Sequence, residues 1–191
     1  MILGTSLLSP IMAAEIIFPG GADSNDFGPI GRVGEYKALI KEEGRFFVKQ
    51  TTVFYENEII YSEYKNAFAF IADSSIKLGD IESMHPFTSE ENDFVRISKA
   101  KIALHFNGIK YTIFEKSNSL NIKTKYGHSI LYKGRGDFTL KWAGDLDSDG
   151  KLDFIVYSAE GEYNAESCLL LSGQAEKGSV VSESACQSYS G

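Results

Sequence analysis

Phe138-Thr139-Leu140-Lys141-Trp142-Ala143-Gly144-Asp145-Leu146-Asp147-Ser148-Asp149-Gly150-Lys151-Leu152-Asp153-Phe154-Ile155-Val156-Tyr157 joins two alternating apolar runs through an acidic turn. Phe138, Leu140 and Trp142 alternate with Thr139 and Lys141; Leu152, Phe154 and Val156 alternate with Asp153, Ile155 and Tyr157. A period of two is the signature of a strand with one buried face. The stretch therefore predicts two strands joined by a tight loop, and so an antiparallel pair.

The loop places Asp145, Asp147, Asp149 and Asp153 at its first, third, fifth and ninth positions. Acids at that spacing wrap oxygens around one point, as a hard divalent cation requires. Gly150 at the sixth position permits the sharp turn, and the backbone carbonyl of Lys151 is the seventh-position ligand. The ligands are all oxygen, with no His or Cys beside them, which selects calcium. Val156 stands where an EF-hand needs a bidentate Glu, and the flanks are strands and not helices, so Asp153 is the closing, bidentate carboxylate. Without a cation the same residues form an acidic, solvated turn whose like charges repel.

The run Gly144-Asp145-Leu146-Asp147-Ser148-Asp149-Gly150-Lys151-Leu152-Asp153-Phe154 resembles the calcium loop of FG-GAP and VCBS repeats. The tail as a whole, with its Trp-Ala-Gly-Asp-Leu-Asp loop, a Leu-Leu-Leu-Ser strand and a late Cys, is similar to a group of bacterial exported proteins. The resemblance covers roughly the last third of the chain and implies calcium binding and export, not an activity. One such loop is present, whereas a propeller repeats it blade by blade at ~40–60 residues.

Outward from the loop, Lys101 to Phe114 predicts a hairpin. Asn107-Gly108 accepts the positive φ of a two-residue turn. Counting outward pairs Phe106 with Ile109, Leu104 with Tyr111 and Ile102 with Ile113 on one face. His105 and Lys110, then Ala103 and Thr112, pair on the other. Tyr36 to Ile40, Arg45 to Phe54, Ala67 to Ala72, Leu120 to Tyr126 and Ser129 to Tyr132 also read as strands. Gly79-Asp80 opens a looser section, and a last hairpin runs from Cys168–Leu171 to Ser179–Val181. No helical period is sustained. The expected class is all-β, a single-domain antiparallel sandwich, open barrel or meander.

The 191 residues suffice for one core. The net charge is −7, and no basic stripe stands out, which argues against a nucleic-acid partner. Ile2 to Met12 is apolar and Ala13-Ala14 supplies small residues before Glu15. Residues 1–14 therefore read as a signal segment and 15–191 as one β domain, although a buried first strand or helix is the other reading. No later stretch has the length of a membrane span. Cys168 and Cys186 are the two cysteines. In an exported chain they form a disulfide worth ~3 kcal/mol in the chain-entropy model; the other reading is two buried thiols.

No metalloprotease, nucleophile-elbow, phosphate-loop or dinucleotide motif is present in the sequence. His85, His105 and His128 are isolated, and single histidines are more often structural or solvated. Glu42-Glu43, Glu56 with Glu58, and Glu90-Glu91 with Asp93 read as solvated turns, and Arg135-Gly136-Asp137 as an exposed loop. Tyr55, Tyr61, Tyr64 and Phe68 read as core. The expectation is an exported, periplasmic or secreted, calcium-stabilised protein that binds a protein partner. Its concrete form is an inhibitor or immunity-type protein docking on an envelope enzyme. The rival is a hydrolase of envelope glycans or peptides whose carboxylates carry no motif.

Overall fold

A computed structural model of the chain describes residues 14–21, 34–56, 59–84, 95–97, 101–133, 137–160 and 164–190. Residues 1–13 of the expected signal segment 1–14, and His85, Glu58, Glu90, Glu91, Asp93, Arg135 and Gly136, lie outside the described residues.

The chain is all-β: the described residues contain no helix, and the strands pair antiparallel in three sheets. The first sheet comprises β1 (Glu15–Ile17), β2 (Gly20–Gly21), β3 (Gly34–Glu42), β4 (Arg45–Glu56), β5 (Ile59–Tyr61), β6 (Ala67–Ala72) and β7 (Gly79–Ile81). Its order is β1-β6-β3-β4-β5-β2, with β7 also on β4. The central sheet takes β8 (Val95–Ile97), then β13 (Asp137–Gly144), β14 (Asp153–Glu160), β15 (Asn164–Leu171) and β16 (Ser182–Ser190), in the order β16-β15-β14-β13-β8. The third is a meander of β9 (Ile102–Phe106), β10 (Ile109–Glu115), β11 (Ser119–Lys123) and β12 (His128–Lys133).

The central sheet is covered on both faces. On one side Phe138, Leu140, Phe154, Val156 and Leu170 pack against Leu104, Tyr111, Ile113 and Ile122 of the meander. On the other, Trp142, Ile155, Leu169 and Leu171 pack against Leu39, Phe46, Val48 and Ile71 of the first sheet. A third cluster, including Tyr36, Ala38, Ile40, Val53 and Phe70, fills the opposite face of the curled first sheet. This explains why β14 is apolar at successive positions: Phe154, Ile155 and Val156 are all buried, on alternating sides. A strand sandwiched between two layers loses the polar half of its alternation.

The Asn107-Gly108 hairpin has the expected register, Ile109 opposite Phe106, Tyr111 opposite Leu104 and Ile113 opposite Ile102. Asn107 and Gly108 both have positive φ. Three local readings are corrected. Trp142 does not share a face with Phe138 and Leu140. A bulge makes Leu140 face Val156 and Trp142 face Ile155, with Lys141 as the extra residue between them. The extra residue sends Trp142 into the opposite core. Gly79-Asp80 belongs to β7, whose Asp80 pairs with Phe47. The last hairpin returns on β16, not on Ser179–Val181, which lies in the connection.

Cys168 and Cys186 stand directly opposite on β15 and β16. They form a disulfide with Cα atoms 4.1 Å apart. A bridge of this kind persists in oxidising compartments outside the cytoplasm. No helix among the described residues is long and apolar enough to cross a membrane.

Candidate metal centre

The acidic loop hangs from two cores. Leu146 is fully buried in the cluster beneath the first sheet, and Leu152 is fully buried in the cluster beneath the meander. Each end of the loop is therefore pinned by an apolar side chain facing a different layer. Backbone bonds add to this. The Lys77 amide donates to the Leu146 carbonyl at 3.0 Å and the Asp145 amide to the Glu82 carbonyl at 3.0 Å. Ser148 and Gly150 turn the chain at φ 60° and 82°. A Cβ on Gly150 would meet nothing, so its torsion, and not lack of space, calls for glycine.

Within the loop the carboxylates gather the amides. Asp145 accepts from the Asp149 and Gly150 amides, both at 2.9 Å. Asp147 accepts from the Asp149 amide at 3.2 Å and from the Gly173 amide at 3.0 Å. Asp149 accepts from the Lys151 amide at 2.8 Å, and the Lys151 ammonium lies 2.7 Å from its other oxygen. Asp145, Asp147 and Asp149 each offer an oxygen to one point, all within 4.8 Å of one another. This arrangement could hold a metal ion, and an all-carboxylate donor set fits a hard one.

Asp153 sits differently. It is fully buried and binds both the loop and the β15–β16 connection. One oxygen accepts from the Leu146 amide at 2.7 Å and the Asp147 amide at 3.4 Å. The other accepts from the Ser172 amide at 2.7 Å and is 2.9 Å from the Ser172 hydroxyl. Burial pushes the Asp153 carboxyl up to about 7, with the charge of Asp147 adding to the shift against the Ser172 and Leu146 bonds. Asp147 is raised too, by burial first and then by Asp149. Anionic groups crowded in low dielectric resist ionisation unless a cation compensates them.

The sequence reading missed Ser172 and Gly173. Ser172 Oγ also lies 2.9 Å from Asp149, so one hydroxyl bridges the outer cluster and the buried acid. Gly173 comes so close to Asp147 that a Cβ there would clash with its carboxylate. Neither has a local motif; both are brought in by the pairing of β14 with β15. The other candidates lie apart. His105 is exposed opposite Lys110. His128 bonds Asn121. Glu42 pairs with Lys49, and Glu56 accepts from Tyr61. Tyr55 is buried as expected, whereas Tyr61 is 40% exposed and stacks on Phe54.

Neither the family models, the curated proteins nor the solved structures compared with this chain match it.

Proposed function

We propose that this is an exported, calcium-stabilised binding protein that docks on a protein partner in the periplasm or outside the cell, as an inhibitor or immunity-type protein of an envelope enzyme does. The observation carrying the docking reading is an exposed apolar patch. At the end of the β4–β5 hairpin Phe54, Ile59 and Tyr61 are 38%, 52% and 40% exposed, with the two rings stacked at 5.6 Å. Exposed aromatics grouped in one patch mark an interaction surface more often than a chance remnant.

Calcium is the cation that the FG-GAP-like spacing and the all-oxygen donors favour. Asp145, Asp147, Asp149, the Lys151 carbonyl and Asp153 would hold it, at the junction of the loop with the β15–β16 connection. There the ion would offset the crowded charge and fix the joint between layers; its role is structural.

The test of docking uses the protein in calcium as bait in extract from its own cells. The partner captured by the wild type is purified and its affinity measured for wild type and for a Phe54→Ser/Ile59→Ser/Tyr61→Ser variant of equal melting midpoint. Loss of more than tenfold in affinity supports the reading. Equal affinity, or no partner, contradicts it.

A further inference from the structure

The whole-chain charge conceals a basic sheet. Residues 101–133, which form the meander, hold Lys101, Lys110, Lys116, Lys123, Lys125 and Lys133 against one acid, Glu115. That is a formal +5 in a chain whose total is −7. One face of the meander lies on the core, so the charge collects on the other face and at the turns.

That outer face carries a groove of about 480 Å³, within the range of small-ligand sites. Phe114, Asn121 and Ile130 form one cross-strand row, and Lys123 pairs with His128 in the next. The Phe114 and His128 rings lie nearly parallel, 14° apart with centroids at 6.4 Å. The Lys101 ammonium stands 6.0 Å from the Phe114 ring centre. Asn121 is buried and fixed: its amide donates to the Ser119 carbonyl at 2.8 Å. Its oxygen therefore faces His128 Nε2 at 3.0 Å, which makes Nε2 the protonated nitrogen and leaves Nδ1 an acceptor when the ring is neutral. At the rim, Ser117 and Asn118 hold positive φ of 52° and 55° in a turn closed by paired Lys116–Ser119 backbone bonds. The rim of the groove is thus a tight, hydrogen-bonded turn.

We propose that this groove binds an acidic saccharide, a glycan unit bearing a carboxylate. A sugar ring presents an apolar C–H face, which suits the Phe114 and His128 rings. Its hydroxyls suit Ser117, Ser119 and the histidine. Its carboxylate suits the positive charge of Lys116 and Lys123, two residues that line the groove. The volume is that of one or two sugar rings and not of a protein footprint. The meander holds no arginine to fork onto phosphates, as nucleic-acid sites favour. This inference is independent of calcium and of the β4–β5 patch.

The test is calorimetric titration of the full chain, in calcium, with a glucuronate-containing tetrasaccharide. The same titration is run with its carboxyl-reduced counterpart, a penta-glutamate peptide and a short oligothymidylate. The expected result is saturable one-to-one binding of the acidic tetrasaccharide, at least tenfold weaker for the reduced sugar, the peptide and the oligonucleotide. Lys123→Gln and Phe114→Leu should each weaken it about tenfold, while Lys133→Gln, outside the groove lining, leaves it unchanged. Melting midpoints report folding, and Lys123→Gln decides if Phe114→Leu melts early. No saturable binding at millimolar sugar overturns the proposal. So does peptide or oligonucleotide binding as tight as the sugar, or a Lys133→Gln loss equal to that of Lys123→Gln.

Discussion

Ser172 holds Asp153 twice, its amide at 2.7 Å and its hydroxyl at 2.9 Å from the same carboxylate oxygen. The pair joins the first residue of β14 to the residue after β15, closing the acidic loop against the β15–β16 connection. The hydroxyl has one proton but lies 2.9 Å from Asp149 as well. It can donate to one acid only, so the second contact is satisfied when Asp153 is itself protonated. Ser172→Ala should destabilise the fold by about 1–3 kcal/mol, the cost of an unsatisfied buried group. Chemical denaturation checks this; a change below a few tenths of a kcal/mol would mean that the hydroxyl is dispensable.

The raised Asp153 carboxyl gives a pH dependence with a definite sign. Its folded value, about 7, is above the ordinary carboxylate range, so the fold binds this proton more tightly than the unfolded chain. The stabilisation is full below about pH 3.9 and is lost as pH rises through about 7. Asp147 shifts in the same direction. In chelator the melting midpoint should therefore rise between pH 8 and pH 5. In saturating calcium the trend should flatten or reverse, because protons then compete with the cation. Parallel profiles in the two conditions would show that no ion compensates these acids.

Gly173→Ala tests the approach of the connection to the loop. The new methyl would displace the Asp147 carboxylate without removing any donor. Calcium affinity should fall at least severalfold by titration calorimetry, as it should for Asp149→Ala. Ser148→Ala, between ligand positions, should have the smaller effect. Ser148→Gly should relieve its left-handed torsion and raise stability by up to ~1 kcal/mol.

Deleting Lys141 removes the bulge residue. Leu140 and Trp142 then become neighbours and keep Val156 and Ile155 as their partners, so plain alternation leaves each on its present face. The deletion should therefore still melt cooperatively, as should Lys141→Ala, which keeps the bulge. A deletion variant without a cooperative transition would show that the register on either side of the bulge is not what places Trp142.

The sequence made the hairpin register legible because the Asn-Gly turn and the apolar pattern are both local. It did not reveal the bulge, since Lys141 has no residue-type signature and the alternation on either side looks unbroken. It placed the return strand of the last hairpin too early: Val180 and Val181 are buried, as strand residues would be, yet they belong to the connection. Asp145, Asp147 and Asp149 were readable as a cluster because spacing alone brings them together. Ser172 and Gly173 were not, since only long-range pairing delivers them. The basic meander was hidden by averaging charge over the whole chain.

Reducing the Cys168–Cys186 bridge, which closes a loop of 18 positions, should lower stability by ~2–4 kcal/mol. Denaturation of the Cys168→Ala/Cys186→Ala variant measures it. A loss near zero would mean that β15 and β16 are held by pairing alone.

The most direct measurement is thermal melting of the purified chain with calcium, with chelator and with magnesium, alongside elemental analysis. The account predicts one calcium per chain and a midpoint raised by calcium. At about 100-fold above the dissociation constant the gain is ~2.7 kcal/mol. Magnesium, with its small octahedral shell, should raise it much less. An identical midpoint in all three conditions, with no calcium in the protein, would contradict it.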